Sequence, residues 1–215
     1  MNKIILSLDN LTYDDIVYYS LLFKDEVYAI KLHDAILKYG MSIISQLHDY
    51  DIRVLADCNL YNNHDEITNN VNMMFNWGTD IITIHPQSFY VPSSEISDKL
   101  ITNTVLSCVS EREWQIMYDV DLCESILRYS QFAVKHNYGY IICNPYDLKK
   151  KMMHKLISNN NIKVICSGID INNNQLTPKT AFSLGADYII LNSSILSLSF
   201  EKIIRLFYDV SLNNL

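Results

Sequence analysis

The stretch RVLADCNLYNNHDEI, residues 53–67, begins as an apolar run, stops on Asp57, and then offers Cys58, Asn59, Tyr61, Asn62, Asn63 and His64 with no glycine or proline to turn the chain. A lone aspartate after a strand is more often a turn or cap residue than a catalyst. Lys31 changes that weighing. It sits in YAIKLHD among apolar neighbours, and a lysine at the end of a buried strand needs an anionic partner to stay charged. Asp57, on the adjacent predicted strand, is the expected one.

Other residue types capable of chemistry carry weaker signals. His64 with Asp65 and Glu66 has the look of a metal or acid–base group, but a helix N-terminus favours the same composition through its dipole. His85 and His33 end predicted strands, where a general-base role is open to His85. Strand alternation turns Cys58 away from Asp57's side, which removes it as a nucleophile. Ser107, Ser167 and Ser193 lack the Gly-x-Ser-x-Gly context of a hydrolase. Tyr18, Tyr19, Tyr39 and Tyr129 read as core or interface residues of amphipathic helices rather than a platform for stacking bases. The five cysteines form no Cys-x-x-Cys pair, so zinc is not expected and no metal is assigned.

The elements that must hold these residues alternate. Short runs rich in Ile and Val predict strands over residues 4–8, 28–32, 53–57, 81–85, 102–106, 140–143, 163–166 and 188–192. Between them YDDIVYYSLLF, DAILKYGMSIISQLHDY, DEITNNVNMMFNWG, ESILRYSQFAVKHNYG, DLKKKMMHKLISNN, TPKTAFSLGA and FEKIIRLFYDV place apolar side chains at three- and four-residue spacing, as helices packed on a sheet require. Gly78, Gly139 and Gly185 stand where helices hand over to strands, and Thr177-Pro178 reads as a capped helix start. The segment 86–100 is short for a full helix. Nearly all-apolar strands are buried on both faces, as parallel strands covered by helices are. Eight such units in 215 residues predict an α/β fold, a single (β/α)₈ TIM barrel, with a doubly wound open sheet as the competing arrangement. In a barrel the site lies at the C-terminal ends of the strands. Asp9, Lys31, His33, Asp57, Asn59, Asn62, His85, Ser107, Asn144, Ser167, Asp170, Asn192 and Ser193 fall there.

The chain has no obvious linker, so one domain over residues 1–215 is expected. A net charge of −7 spread along the chain argues against a nucleic-acid partner. No apolar run approaches the roughly 20 residues of a membrane span, and the N-terminus reaches Asp9 too soon for a signal peptide. An odd number of cysteines without a signal reads as reduced thiols, so the expected location is cytoplasmic.

The blocks LSLD, AIKLHDAILKYG, VLADCNLYNN, IITIHPQS, VICSGI and LTPKTAFSLGADYIILNSSI, in this order and spacing over almost the whole chain, resemble those of the orotidine 5′-monophosphate decarboxylase family of the ribulose-phosphate-binding barrels. The last block is the most specific. The resemblance implies a homodimeric barrel with active sites at the dimer interface, decarboxylating orotidine 5′-monophosphate to uridine 5′-monophosphate in pyrimidine biosynthesis without metal or organic cofactor. The family's strand-two lysine falls on Lys31 and its ribose-holding aspartate on Asp9. Its Asp-x-Lys-x-x-Asp signature falls on Asp57, Asn59 and Asn62, so two of its three charges are missing here.

In that family the alternating array sets negative charge against the substrate carboxylate and an ammonium beside the carbon that becomes a carbanion, which the same lysine then protonates. Asn59 has no ionisable proton to give, and Asn62 cannot supply the carboxylate that reaches the partner's site. Where the family has Gly-Arg after the eighth strand, this chain has Asn192 and Ser193, neutral donors in place of a bidentate clamp. The loop 167–178 is short beside the family's phosphate loop; Gly168 lies in it, and Gln175 is its candidate phosphate contact. His85 and Ser107 complete the expected substrate-binding set. Sister enzymes, the hexulose-phosphate synthases and ketogulonate-phosphate decarboxylases, carry an acid at the Lys31 position and bind magnesium, so Lys31 leans toward the nucleotide branch. The expected activity is therefore a decarboxylase lost or strongly reduced, with a non-catalytic nucleotide-binding or protein-interaction scaffold as the alternative.

Overall fold

The structure is a computed structural model and describes residues 2–105, 109–169, 171 and 176–211. Its eight strands are β1 Ile4–Ser7, β2 Ala29–Leu32, β3 Val54–Leu60, β4 Ile81–Ile84, β5 Leu100–Asn103, β6 Tyr140–Cys143, β7 Lys163–Cys166 and β8 Tyr188–Asn192. Each pairs in parallel with the next, and β8 returns to β1, closing the barrel. The competing open sheet is thereby excluded. The helices are α1 Tyr13–Phe23, α2 Asp34–Tyr39, α3 Ser42–His48, α4 His64–Asn76, α5 Glu111–Tyr118, α6 Leu122–Lys135, α7 Lys151–Ser158, α8 Pro178–Ser183 and α9 Phe200–Ser211.

Strand alternation divides the apolar residues into two layers. Ile4, Leu6, Ile30, Leu32, Val54, Ala56, Ile82 and Ile84 face outward and pack with helix residues such as Phe23, Ile44 and Phe207. Ile5, Ala29, Leu55, Ile81, Ile101, Ile142, Ile165 and Ile190 fill the interior, as barrels of this size require. Three tyrosines close the N-terminal end: the Tyr28 and Tyr140 hydroxyls are 2.6 Å apart, Tyr188 lies 4.2 Å from Tyr28 between ring centres, and the Arg53 guanidinium sits 4.6 Å over Tyr28. Burial pushes the Tyr188 hydroxyl up to about 12. The floor is thus plugged, and the open end is the C-terminal one.

The helix starts follow the expected chemistry. Thr177 accepts from Thr180 N at 3.2 Å ahead of Pro178, and Asn63 accepts from Glu66 N at 3.0 Å, which gives His64, Asp65 and Glu66 their place in the first turn of α4.

Several boundaries differ from expectation. The helix expected over DAILKYGMSIISQLHDY is broken into α2 and α3 at Gly40, whose φ of 70° no helix accommodates. The segment 86–100 forms two short 3-10 turns, Pro86–Ser88 and Ser97–Lys99. Strand β5 starts two residues early, at Leu100, and an additional helix, α5, follows it behind a Ser110–Glu113 capping box. The charge is also less evenly spread than expected: Lys149, Lys150, Lys151, His154 and Lys155 gather on and before α7.

Candidate active site at the barrel mouth

The site is built on an irregularity of β3. Ala56 is in register with Ile82 and Leu60 with Ile84, so β3 spends four steps where β4 spends two. Asp57, Cys58 and Asn59 therefore stand opposite the single residue Thr83. Thr83 of β4 fastens this bulge: its hydroxyl accepts from Asn59 N at 2.8 Å and lies 3.1 Å from Asp57 Oδ1. Asn59 takes φ 46°, a left-handed conformation that asparagine tolerates better than most residues. A bulge next to a strand end re-aims side chains, and here it carries both Asp57 and Asn59 to the mouth.

Lys31 lies between two carboxylates. Its Nζ donates to Asp57 Oδ2 at 3.1 Å and to Asp9 Oδ2 at 3.2 Å, and the residue is only 7% exposed. Lys31 on β2, Asp57 on β3 and Asp9, two residues past the end of β1, thus contribute one charge each, the strands being aligned by the register Ser7↔Lys31 and Lys31↔Leu55. Asp57 is held by three donors, Lys31, Thr83 and Asn59 Nδ2 at 3.1 Å. Ser7 Oγ donates to Asp9 Oδ2, while Asp9 Oδ1 is buried with no partner among the described residues. An ammonium this buried is stable only because two anions and good geometry offset its lost hydration.

The amide at position 59 ends this array. Its Nδ2 donates to Asp57 and its Oδ1 accepts from Asn103 Nδ2. Lys31, Asp57, Asn59, Asn103, Gly168 and Asn192 line a cavity of about 220 Å³ at the mouth, with Val105, Ile142, Cys143, Ser167 and Ile190 as its remaining walls. Among the described residues, Lys31 is the one cation on those walls. The cavity therefore has a charged corner, a run of carboxamides and an apolar back, a composition that takes a small polar ligand.

The remaining candidates fall elsewhere. Asn62 is exposed on the rim, donating to Glu66 Oε2 at 2.5 Å, and does not line the cavity. Ser193 Oγ donates to the Asp9 carbonyl at 3.1 Å and so supports β1 from β8. His33 caps nothing; its Nδ1 lies 2.6 Å from the Asp57 carbonyl. His85 accepts Gln87 N at Nδ1, 3.3 Å, and borders a neighbouring chamber instead of the mouth. Burial depresses its basicity. Cys58 packs on the outer layer, as alternation requires, and desolvation followed by the Asp57 charge pushes its thiol to about 11. Ser107, Asp170 and Gln175 lie outside the described residues. Among those described, no group of His, Cys, Asp and Glu is arranged to hold a metal ion, and no helix is long and apolar enough to cross a membrane. Thr83 and Asn103 were not among the expected site residues. Both sit two positions beyond an inward-facing isoleucine, Ile81 and Ile101, and that alternation was the available signal.

No protein-family profile matches the chain. Among curated proteins it is similar to the orotidine 5′-phosphate decarboxylase of Actinobacillus pleuropneumoniae serotype 5b, 22% identical over 217 residues, covering 90% of this chain and 91% of that one. It is similar also to the same enzyme of Haemophilus ducreyi, 21% identical over 213 residues with the same coverage. Among solved structures, its fold matches orotidine 5′-phosphate decarboxylase from Lactobacillus acidophilus, with a TM-score of 0.77 at 17% identity over 99% of both chains. It matches the enzyme of that name from Pyrococcus horikoshii, with a TM-score of 0.77 at 20% identity over 96% of this chain and 98% of that one. An uncharacterized conserved protein from Geobacillus kaustophilus matches with a TM-score of 0.76 at 16% identity, over 98% and 99%. The chain thus resembles these decarboxylases along its length and shares their barrel.

Proposed function

We propose that this chain is a diverged barrel of the orotidine 5′-phosphate decarboxylase type that keeps a nucleotide-like pocket at its mouth and has lost, or greatly slowed, the decarboxylation. The observation that carries this reading is Asn59, hydrogen-bonded between Asp57 and Asn103 where the family resemblance calls for an ammonium. Lys31, Asp57 and Asp9 supply the retained half of the array. Loss of a carbanion's neighbouring full charge matters most in a pocket of low dielectric, where a fixed ammonium stabilises it far more than an amide dipole does. The loss of Lys at 59 and Asp at 62 removes one charge of each sign, so Lys31 keeps its partners and no buried charge is stranded.

In this reading Asp9 and Lys31 hold a ribose-like diol, while Gly168, Asn192 and Ser193 offer neutral contacts to the rest of the ligand. The protein works as a homodimer; exposed Tyr61 and Phe89, 61% and 67% accessible on the β3 and β4 side of the mouth, support an apolar contact there. Free Cys58, Cys123, Cys143 and Cys166 support a reducing, cytoplasmic setting. The neutral replacement of the phosphate clamp favours a second reading, a scaffold that binds a protein partner and no nucleotide.

Calorimetric titration with uridine and orotidine 5′-monophosphates separates the two. Saturable heat that Lys31→Met abolishes supports the nucleotide pocket. An absence of heat across the set refutes it and leaves the scaffold.

A further inference from the structure

Beside the mouth lies a second chamber of about 280 Å³, between the 3-10 turn Pro86–Ser88 and helices α5 and α6. Asn59, Asn103 and Val105 border both cavities. The mouth is charged, whereas among the described residues no carboxylate, lysine or arginine lines the chamber. Its walls are aromatic: Trp114 is buried and fixed by donating Nε1 to Ser125 Oγ at 2.9 Å, Tyr118 lies 4.2 Å from it between ring centres, and Tyr129 meets it edge-on at 6.4 Å.

Polar groups converge on these walls. Gln87 Nε2 donates to the Tyr129 hydroxyl at 3.1 Å, leaving the Gln87 carbonyl as an acceptor and the Tyr129 hydrogen as a donor. His85 uses Nδ1 as an acceptor for Gln87 N, which puts the proton of the neutral ring on Nε2. Asn103, 9% exposed, stands at the boundary with its Oδ1 buried and unpartnered among the described residues. Donors and acceptors thus alternate around an aromatic slot. The volume is just under the roughly 300–1,000 Å³ of ligand pockets, enough for a ring system and too small for a whole nucleotide.

We propose that this chamber is a second binding subsite, for a neutral, planar heteroaromatic ring carrying both carbonyl and N–H groups, as a nucleobase does. The ring stacks against Trp114 and Tyr118 and exchanges hydrogen bonds with Gln87, Tyr129 and His85. Its occupancy does not require a phosphate or the charged corner at Lys31.

The chain has two tryptophans, and Trp77 is 43% exposed, so Trp77→Phe makes Trp114 the sole indole reporter. Uracil and adenine, as free bases, are titrated into this variant by fluorescence. The expected result is saturable quenching whose midpoint rises at least tenfold on adding Val109→Phe, which fills the chamber, and which survives Lys31→Met. Gln87→Leu, which removes hydrogen bonds without adding bulk, shifts the midpoint in the same direction and carries the test should Val109→Phe fail to fold. No quenching by either base, quenching indifferent to the folded chamber variants, or quenching abolished in a Lys31→Met chain that remains folded overturns the subsite. Nucleotide calorimetry on the unmodified chain reads the mouth independently, so failure of one reading leaves the other measurable.

Discussion

Replacing Asn59 with lysine, together with Asn62→Asp, puts back the two charges that the resemblance identifies as missing. The new ammonium lies near Asp57 Oδ1, now 3.1 Å from the Asn59 amide. At an effective dielectric of about 20, opposite charges about 4 Å apart attract by about 4 kcal/mol. Repulsion from Lys31, across the Asp57 carboxylate and about twice as far away, returns about half of that. A lysine at φ 46° costs about 1–2 kcal/mol more than asparagine, and the lost bond from Asn103 about 1 kcal/mol. These effects nearly cancel, so the variant folds with stability within about 2 kcal/mol of the parent. Its chemistry changes far more. A placed proton donor contributes roughly 10²–10⁴-fold, and one preorganised electrostatic contact roughly 10²–10³-fold. The double variant is therefore expected to turn over orotidine 5′-monophosphate at least about 10²-fold faster than the parent, followed by product formation under single-turnover conditions. A folded variant that binds uridine 5′-monophosphate as the parent does and shows no gain in rate would refute the reasoning that position 59 limits the chemistry.

Other consequences are separable from catalysis. Lys31→Met leaves Asp9 and Asp57 facing each other without a cation; since both carboxylates keep some solvent contact, the loss is expected at the low end of the range for broken buried pairs, about 3 kcal/mol in urea unfolding, and a loss under 1 kcal/mol would show that the triad is not structural. Gly139→Ala brings a Cβ to 2.0 Å from the backbone oxygen of Asp98, which must move, so thermal unfolding is expected to report a loss above about 2 kcal/mol. Cys58, raised from 9.0 to about 11, is expected to alkylate roughly a hundredfold more slowly in the folded than in the unfolded chain near pH 8, and equal rates would contradict its burial. The sign for stability follows: the protonated thiol contributes fully below pH 9.0, and that contribution disappears as pH rises through about 11.

The barrel was legible because its signals are local and repeated. Ile- and Val-rich runs between amphipathic stretches mark buried strands, and residues 140–143, 163–166 and 188–192 lie where the spacing places them. Lys31 and Asp57 were legible as a pair because a buried lysine demands an anion. What escaped detection depends on tertiary register. The β3 bulge is fastened by Thr83 across the sheet, and no pattern within residues 53–60 announces it. LITNTVLSCV is apolar on both sides of Asn103, so β5 reads equally well two residues later, and that slip hid Asn103 behind Ser107. The missed helix α5 is mostly exposed, Ile116 and Met117 included, and its pattern lacks a clear apolar face. With it went the chamber that Trp114 and Tyr129 enclose.

Steady-state turnover of orotidine 5′-monophosphate by the unmodified chain tests the central claim most directly. With an amide where the resemblance calls for an ammonium, the rate is expected to lie at least about 10²-fold below the roughly 10 s⁻¹ typical of enzymes, with uridine 5′-monophosphate binding retained. A kcat within the ordinary range of about 1–10³ s⁻¹ would contradict the account, because it would mean that the mouth stabilises the carbanion without a lysine at position 59.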